Sequence, residues 1–305
     1  MTARAEVSPP IPRQRPSWFP YLGNRMQERK IFSSVRVEFE FRTNGYCILP
    51  EIADEAALDE LRALSTTVRS RALAEFHVSS WHGSNDHAAI HRAVSSLVGG
   101  LIGEHIMDYR PVLGCFAMKP SGESDGGIMG IHQDWSFTDE SWFDPVSVWL
   151  PLQDVDERNG CLEFVPGSHE VFRNVRGFDV TPPIDYLHPE LLPHMRSVPI
   201  RAGDAIVLHS RVVHRSGLNQ SGSPREVAML AMIPREAPVM AYARRQTGAW
   251  NELDVHHCPD DFYLHYDVFK GPDRPAPQSR IDPALTRGRE DALVMYSERI
   301  ERLTT

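Results

Sequence analysis

Two stretches before residue 110 carry apolar residues at helical spacing. Residues 57–68 place leucine, alanine and valine every three or four positions, and Asp54 precedes them as a suitable N-cap, which predicts a helix from Asp54 to about Phe76. The same spacing over residues 87–106 predicts a second helix. We interpret the three histidines of this second stretch as surface or helix-end residues rather than ligands: His87, His91 and His105.

From residue 111 onward the pattern changes to short apolar runs separated by Gly, Pro, Asp and Asn. The runs are VLGCFAMKP, GIHQDWSF, SVWLPL, CLEFVPGSH, DAIVLH and VAMLAMIP. Strands at this close spacing, with turn residues between them, are typical of an all-β sandwich or barrel. Three stretches have the composition of turns: 157–160, 166–168 and 202–204. Residues 168–198 are too long for a hairpin connection and predict a lid-like insertion.

These elements predict a mainly β fold with helical decoration, built as a single domain. We expect residues 36–305 to form this domain, with its core over residues 111–235. A C-terminal extension over residues 236–305 is predicted to end in a helix near 289–303. The proline- and arginine-rich residues 1–35 predict an extended N-terminal arm.

Composition narrows the classes of function. The chain has 305 residues, of which 41% are hydrophobic and 24% charged, as in ordinary globular proteins. Its net charge of −9 disfavours nucleic acid or an anionic membrane as the main partner. No apolar run approaches the roughly 18 residues of a membrane span, and the N-terminus lacks the apolar core of a signal peptide. Four scattered cysteines without CxxC spacing indicate reduced thiols, so we expect a cytoplasmic protein.

The run GIHQDW contains the first candidate metal ligands, His132 and Asp134. If this run is a strand, side chains two residues apart leave the same face and project together. For the pair alone, an exposed strand with two polar residues is the alternative interpretation. Closure of a barrel would bring the distant strand that carries His214 beside the pair. Two imidazoles and one carboxylate form the facial triad of non-haem Fe(II) oxygenases, which leaves three coordination positions open.

Two residues near the third ligand are suited to hold a carboxylate. Arg225 stands eleven residues after His214, at the head of a predicted strand, and Ser216 stands two residues after it. A guanidinium binds a carboxylate through two parallel hydrogen bonds, and a serine hydroxyl adds a third. Arg225 alone is explained equally well as a surface residue at the start of a strand, but its combination with the triad favours ligand binding.

These motifs resemble those of the phytanoyl-CoA dioxygenase family of Fe(II)/2-oxoglutarate oxygenases. The resemblance covers roughly residues 40–235 and rests on HQDW, VWLPLQDVDERNGCLEFVPGSH and HSRVVHRSGLNQSGSPR. It implies a double-stranded β-helix, a jelly-roll or cupin-like barrel. The positions that match the family's iron ligands are His132, Asp134 and His214. The positions that match its 2-oxoglutarate pocket are Arg225, Ser216, Trp149 and Cys115.

The resemblance implies an Fe(II)- and 2-oxoglutarate-dependent dioxygenase, most simply a hydroxylase, that acts with dioxygen on a small natural product or amino-acid-derived metabolite. Desaturation, epoxidation or cyclisation by the same site is an alternative, as is a non-catalytic jelly roll that binds a metal or a small ligand. In related halogenases a small residue replaces the carboxylate, so the presence of Asp134 argues against chlorination. The sequence does not indicate an oligomeric state.

Residues near the predicted mouth of the pocket are candidates for contact with the substrate. They are Trp135, Phe137, Trp142 and Arg211. The stretch 76–86 is predicted to line the same mouth. Two further histidines, His169 and His209, are interpreted as structural.

Overall fold

Two antiparallel sheets lie at the centre of the fold. They are seen in a computed structural model that describes residues 29–69, 76–81, 85–122, 128–244, 252–265, 274–281 and 288–304. The strands, numbered along the chain, are β1 (Tyr46–Leu49), β2 (His77–Val78), β3 (Tyr109–Lys119), β4 (Met129–His132), β5 (Val146–Pro151), β6 (Leu162–Phe164), β7 (Arg196–Val198), β8 (Ala205–His209), β9 (His214–Ser216), β10 (Arg225–Pro234), β11 (Met240–Arg244), β12 (Leu253–His257) and β13 (Ser279–Ile281). The larger sheet has the order β1–β8–β5–β10–β3–β2, and the smaller has the order β4–β9–β6–β7. Strands β11, β12 and β13 form a third sheet.

The larger sheet has a core on each side because successive side chains of a strand point to opposite faces. The helices are α1 (Val35–Asn44), α2 (Glu55–Arg69), α3 (Asn85–Ile102), α4 (Ser168–Val171), α5 (His188–Leu191) and α6 (Arg289–Glu301). On one face of the sheet, Phe116 and Leu230 pack in a cluster with the apolar residues of α1, α2 and α3. On the opposite face, Cys115 and Trp149 pack in a second cluster with Leu162 of the smaller sheet. The functional cavity lies on this second side.

The two predicted helices are confirmed. Asp54 accepts a hydrogen bond from the amide of Ala57 at 2.9 Å, so it caps α2 as expected. The predicted end of that helix, over residues 70–75, lies outside the described residues. Helix α3 begins two residues before the predicted start and ends four residues before the predicted end. The six predicted apolar runs contain all of β6 and β8 and most of β3, β4, β5 and β10, and the three predicted turns lie between strands.

The sequence patterns did not predict α1 or β1. Helix α1 is weakly amphipathic, since Val35 is 75% exposed, Phe39 is 70% exposed, and Phe41 is its fully buried residue. The helix ends at Gly45, which has a φ of +81°. A side chain at this position would approach His169 Nδ1 to 2.6 Å, so both the backbone conformation and the close packing require glycine.

The segment 168–198 is part of the packed domain. It contains α4, α5 and β7, and its buried residues Phe172 and Ile184 pack against Tyr296 of α6. None of its residues lines the central cavity. The prediction of a lid is therefore wrong, because α6 buries the apolar residues of this segment on the side of the domain. The predicted C-terminal helix near 289–303 is confirmed as α6.

Residues Ile31–Thr305 form one compact unit, and of residues 1–30 the structure describes residues 29 and 30. The N-terminal arm over residues 1–35 therefore stays a prediction. Within the described ranges, no helix combines the length and the apolar character that crossing a membrane requires.

Candidate active site

Three side chains from two paired strands and a loop converge at one point. His132 is the last residue of β4 and lies directly opposite His214, the first residue of β9. Their ring centroids are 4.1 Å apart. A nitrogen of each ring and a carboxylate oxygen of Asp134 all lie within 4.8 Å of one another, which is close enough for one metal ion to bind all three.

The strand geometry predicted for His132 and Asp134 is wrong. Strand β4 ends at His132, and Asp134 lies in the loop that follows. Two distant residues place its carboxylate and its backbone. Ser147 Oγ donates a hydrogen bond to Asp134 Oδ2 at 2.8 Å, which leaves Oδ1 directed at His214 Nε2, 3.9 Å away. Arg176 Nε donates to the backbone carbonyl oxygen of Asp134 at 2.8 Å.

Both histidines are held in the tautomer that binds metal through Nε2. His132 Nδ1 lies 2.8 Å from the carbonyl oxygen of Gly130, and His214 Nδ1 lies 3.0 Å from that of Val212. A carbonyl oxygen only accepts hydrogen bonds, so each Nδ1 carries the hydrogen and each Nε2 keeps its lone pair. The pKa of His132 is lowered to about 4, mainly by burial and to a smaller extent by the neighbouring His214. The ring is therefore neutral near pH 7, as metal binding requires.

The triad lies in a cavity of about 280 Å³ that contains the predicted co-substrate residues. Arg225, Ser216, Trp149 and Cys115 all line it. The guanidinium carbon of Arg225 lies 5.2 Å from the centre of the Trp149 ring, and Arg225 Nη1 donates to the carbonyl oxygen of Gly160. Both contacts fix the side chain with its charge inside the protein.

Arg225 is a buried cation without a carboxylate partner among the described residues. It is 1% exposed, its Nε has no hydrogen-bond partner, and no described carboxylate pairs with it. Burial lowers the pKa of its guanidinium to about 10, so it stays charged at neutral pH. A buried charge without a counter-ion is destabilising, and a ligand carboxylate would compensate it.

Comparison with known sequences identifies the family of this chain. The sequence profile described as Phytanoyl-CoA dioxygenase (PhyH) matches residues 41–227, which is more than half of the chain. The chain belongs to the phytanoyl-CoA dioxygenase family. All three triad residues, together with Arg225 and Ser216, lie within the matched range.

Curated relatives carry the same family name. "Phytanoyl-CoA dioxygenase domain-containing protein 1" of Danio rerio is 34% identical over 37% of this chain and 42% of its own length. "Phytanoyl-CoA dioxygenase" of Arabidopsis thaliana is 34% identical over 35% of this chain and 39% of its own length. The chain thus spans about two fifths of the length of these relatives.

Solved structures confirm the predicted double-stranded β-helix of the phytanoyl-CoA dioxygenase family. SnoK, a non-heme alpha ketoglutarate dependent carbocyclase from nogalamycin biosynthesis, is 23% identical, with a TM-score of 0.50 over 68% of this chain and 86% of that chain. The epimerase SnoN, in complex with Fe3+, alpha ketoglutarate and nogalamycin RO, is 21% identical, with a TM-score of 0.52 over 80% of this chain and 94% of that chain. At this level of identity the similarity establishes the fold.

The structure divides the predicted substrate residues into two groups. Trp135 and Phe137 line the cavity, whereas Trp142 and Arg211 do not. Arg211 is buried, its Nη1 donates to the carbonyl oxygen of Glu140 at 3.0 Å, and its Nη2 lies 3.8 Å from Asp144 Oδ1. The prediction that Arg211 meets the substrate is wrong, because its guanidinium is engaged inside the protein.

Among the described residues, the histidines outside the triad do not line the cavity. His209 Nε2 lies 3.3 Å from Asp144 Oδ1, and His169 is buried beside it with ring centroids 5.6 Å apart. His91 Nδ1 accepts a hydrogen bond from the amide of Gly114 at 2.9 Å. His87 is 0% exposed, and neither of its ring nitrogens has a hydrogen-bond partner. His87 lies in the first turn of α3, which agrees with a helix-end residue, but its burial contradicts a surface position.

Sequence patterns missed a second buried cation and part of the cavity wall. Lys119 lies opposite Arg225 in the pairing of β3 with β10, and its Nζ donates to the carbonyl oxygen of Gly217 at 2.6 Å. The pKa of Lys119 is lowered to about 7, mainly by burial and to a smaller extent by the charge of Arg225. The sequence offered one indication that Lys119 is buried, namely its position at the end of a long apolar run. Tyr263, from the C-terminal extension, also lines the cavity.

Proposed function

We propose that this protein is an Fe(II)- and 2-oxoglutarate-dependent dioxygenase that oxidises a small metabolite. The observation that carries the proposal is the buried Arg225 guanidinium, without a described carboxylate partner, in the same cavity as a His–Asp–His cluster. The cluster has the donor set of a non-haem Fe(II) site, and the guanidinium has the charge and geometry to bind a dicarboxylate.

His132, Asp134 and His214 would hold the iron through Nε2, Oδ1 and Nε2. Arg225 and Ser216 would bind the distal carboxylate of 2-oxoglutarate. The Trp149 ring would stabilise the guanidinium of Arg225 through a cation–π contact. When bound, iron and 2-oxoglutarate supply the oxidising chemistry with dioxygen. These three protein ligands leave room for the co-substrate and dioxygen on the metal.

The remaining residues of the cavity would protect this chemistry. Burial raises the pKa of the Cys115 thiol to about 12, so Cys115 stays a neutral thiol and does not compete as a thiolate ligand. Apolar side chains make up most of the rest of the cavity wall, including Leu113, Met129 and Met229. Such a wall excludes water from the reacting centre and reduces unproductive oxidation.

Hydroxylation is the reaction we propose, and the product has to be identified to test it. The similar structures named above include a carbocyclase and an epimerase, so the same fold supports other outcomes. The experiment is to incubate the purified protein with Fe(II), 2-oxoglutarate, dioxygen and a panel of metabolites, and to measure substrate-dependent succinate together with product mass. A gain of one oxygen atom supports hydroxylation or epoxidation, and NMR of the product separates an alcohol from an epoxide. A loss of two hydrogen atoms would indicate desaturation or ring closure.

Loss of turnover in His132→Ala and His214→Ala, with retained fold, is expected. Full activity in either variant would remove that histidine from the proposed ligand set. Absence of succinate formation with every metabolite, together with absence of 2-oxoglutarate binding, would favour a non-catalytic ligand-binding jelly roll.

We also propose a cytoplasmic location, with residues 1–30 as an arm and a catalytic domain that comprises residues 36–305 together with the buried residues Ile31 and Phe32 that precede them. The four cysteines are free thiols in the structure, which agrees with a reducing compartment. Cell fractionation tests the location. A variant without residues 1–30 that retains succinate formation would support the domain boundary.

A further inference from the structure

The cavity has few charges for its size. Among its described lining residues, Asp134 and Arg225 are the ones that carry a full charge near neutral pH by residue type, apart from the histidines of the triad. Under the proposed function, Asp134 binds the metal and Arg225 binds the co-substrate. The described lining residues therefore offer a substrate no further cation or anion. Lys119 lies behind the wall, with its Nζ 5.3 Å from the centre of the Phe76 ring and donating to the carbonyl oxygen of Gly217.

Charged side chains close to the cavity are engaged elsewhere. Arg211 is held by the carbonyl oxygen of Glu140 and by Asp144. Arg176 forms two hydrogen bonds with the carboxylate of Glu140, at 2.6 and 2.8 Å. Neither arginine lines the cavity. A charged group on the substrate would lose its hydration there and would find no described counter-ion.

Aromatic rings from separate segments form much of the remaining wall. Phe76 and Trp81 contact each other edge to face, with ring centroids 5.6 Å apart. Phe137 and Tyr263 make a second edge-to-face pair at 4.8 Å. Trp135 adds a further indole ring. Aromatic side chains contribute large apolar surfaces, and other rings pack against them in edge-to-face or offset-stacked arrangements.

We propose that the substrate is an uncharged, ring-containing hydrophobic metabolite. This inference rests on the proposed function, because it assigns Arg225 to 2-oxoglutarate. It predicts weak binding of free amino acids, whose two charges would both lose hydration among the described lining residues. The described wall instead favours burial of neutral ring surface.

Three matched probes test the class of substrate. They share one naphthalene ring system and carry one small substituent of different charge: 2-naphthalenemethanol, 2-naphthoate and 2-naphthylmethylammonium. Binding to the protein loaded with Fe(II) and 2-oxoglutarate is measured by anaerobic calorimetry, so that no turnover occurs. We expect the neutral alcohol to bind at least about tenfold more tightly than either ion, since each ion must lose its hydration. Equal or tighter binding of an ion, or no binding of the alcohol, would overturn the proposal.

A matched pair of tryptophan variants tests whether the probe binds in this cavity. Trp81 lines the cavity, and Trp142 lies outside it. Trp81→Ala should weaken binding of the alcohol by about fivefold or more, because an aromatic contact is lost. Trp142→Ala should bind the alcohol as the unmodified protein does. An equal effect of the two changes would place the binding elsewhere and overturn the assignment.

Titration of 2-oxoglutarate in the same samples separates the two proposals. If 2-oxoglutarate binds and the neutral probe does not, the substrate class is wrong and the proposed function stands. If 2-oxoglutarate fails to bind in the presence of Fe(II), the proposed function itself fails, and the inference fails with it.

Discussion

Arg176 donates a hydrogen bond from Nε to the backbone carbonyl oxygen of Asp134, at 2.8 Å. The same guanidinium pairs with the carboxylate of Glu140 through two hydrogen bonds, and the two side chains are 3% and 7% exposed. One buried side chain therefore links Asp134 to Glu140, which both lie in the loop between β4 and β5. We interpret Arg176 as a positioning residue for Asp134.

Arg176→Met should lower the affinity for Fe(II), or for Co(II) as a stable substitute, by roughly 10- to 100-fold. The physical reason is that the Asp134 backbone loses its fixed position. The change also leaves the charge of Glu140 buried without its partner, so the free energy of unfolding should fall by about 3–5 kcal/mol. Competition titration with a chelating dye measures the first effect, and urea denaturation measures the second.

Two further variants distinguish positioning from general destabilisation. The double variant Arg176→Met/Glu140→Gln removes the unpaired charge, so it should recover part of the stability while its metal affinity stays low. Arg173→Met is the control, since Arg173 is exposed and pairs with Glu170 on the surface; it should change neither quantity by much. Recovery of metal affinity in the double variant would mean that Arg176 acts through stability alone.

Arg225→Met should separate ligand binding from folding. The dissociation constant of 2-oxoglutarate should rise by at least about tenfold, because a charge-assisted, bidentate contact is lost. The ligand-free protein should lose little stability, since methionine replaces a buried charge that has no described carboxylate partner. Calorimetry gives the first quantity and urea denaturation the second.

Arg215→Met is the matched control for Arg225. Arg215 lies on β9 between two cavity residues, but its Nη2 pairs with Glu163 Oε2 at 2.8 Å and it does not line the cavity. This variant should bind 2-oxoglutarate with unchanged affinity. Equal losses of affinity in both variants would place the co-substrate carboxylate somewhere other than Arg225.

We expect the buried His87 to make the stability of the folded protein depend on pH. Burial is the main cause that lowers the pKa of His87 from 6.5 to about 4. Between these values the unfolded chain binds a proton that the folded protein does not bind. The free energy of unfolding should therefore fall as the pH is lowered from about 6.5 towards 4, by up to the order of 3 kcal/mol from this residue.

His87→Leu should remove this part of the pH dependence. At pH 7.5 the variant should be at least as stable as the unmodified protein, because leucine leaves no unsatisfied ring nitrogen in the interior. At pH 5 it should be clearly more stable. Urea denaturation of the metal-free protein at both pH values measures the difference, and an unchanged slope of stability against pH would contradict the assignment.

The candidate metal ligands could be predicted from the sequence, but the way they converge could not. The prediction used strand alternation for His132 and Asp134, whereas β4 ends at His132. Convergence depends instead on Ser147 and Arg176, which stand 13 and 42 residues from Asp134 along the chain. Contacts at such separations leave no periodic pattern in a single sequence.

Prediction from the sequence was limited in the same way for the residues of the cavity wall. Trp135 and Phe137 were predicted because they follow a ligand closely, and the structure places both at the cavity. Trp142 was predicted for the same reason, whereas Arg211 was predicted as a cation that could meet an anionic group; neither lines the cavity. Tyr263 was missed because the C-terminal extension reaches the cavity through tertiary packing. Proximity in sequence thus identifies the first residues of the wall and fails for the others.

Asp134 should also exclude halogenation. Its Oδ1 lies within ligand range of both histidines and would occupy a coordination position that a halide needs. With excess bromide, the unmodified protein should therefore give only oxygenated or desaturated product. Asp134→Gly should lose most of its iron affinity and nearly all hydroxylation, because an anionic ligand is removed from a dication. Mass spectrometry of the products, made with and without bromide once a substrate is known, measures the outcome; a brominated product from the unmodified protein would show that Asp134 does not bind the metal.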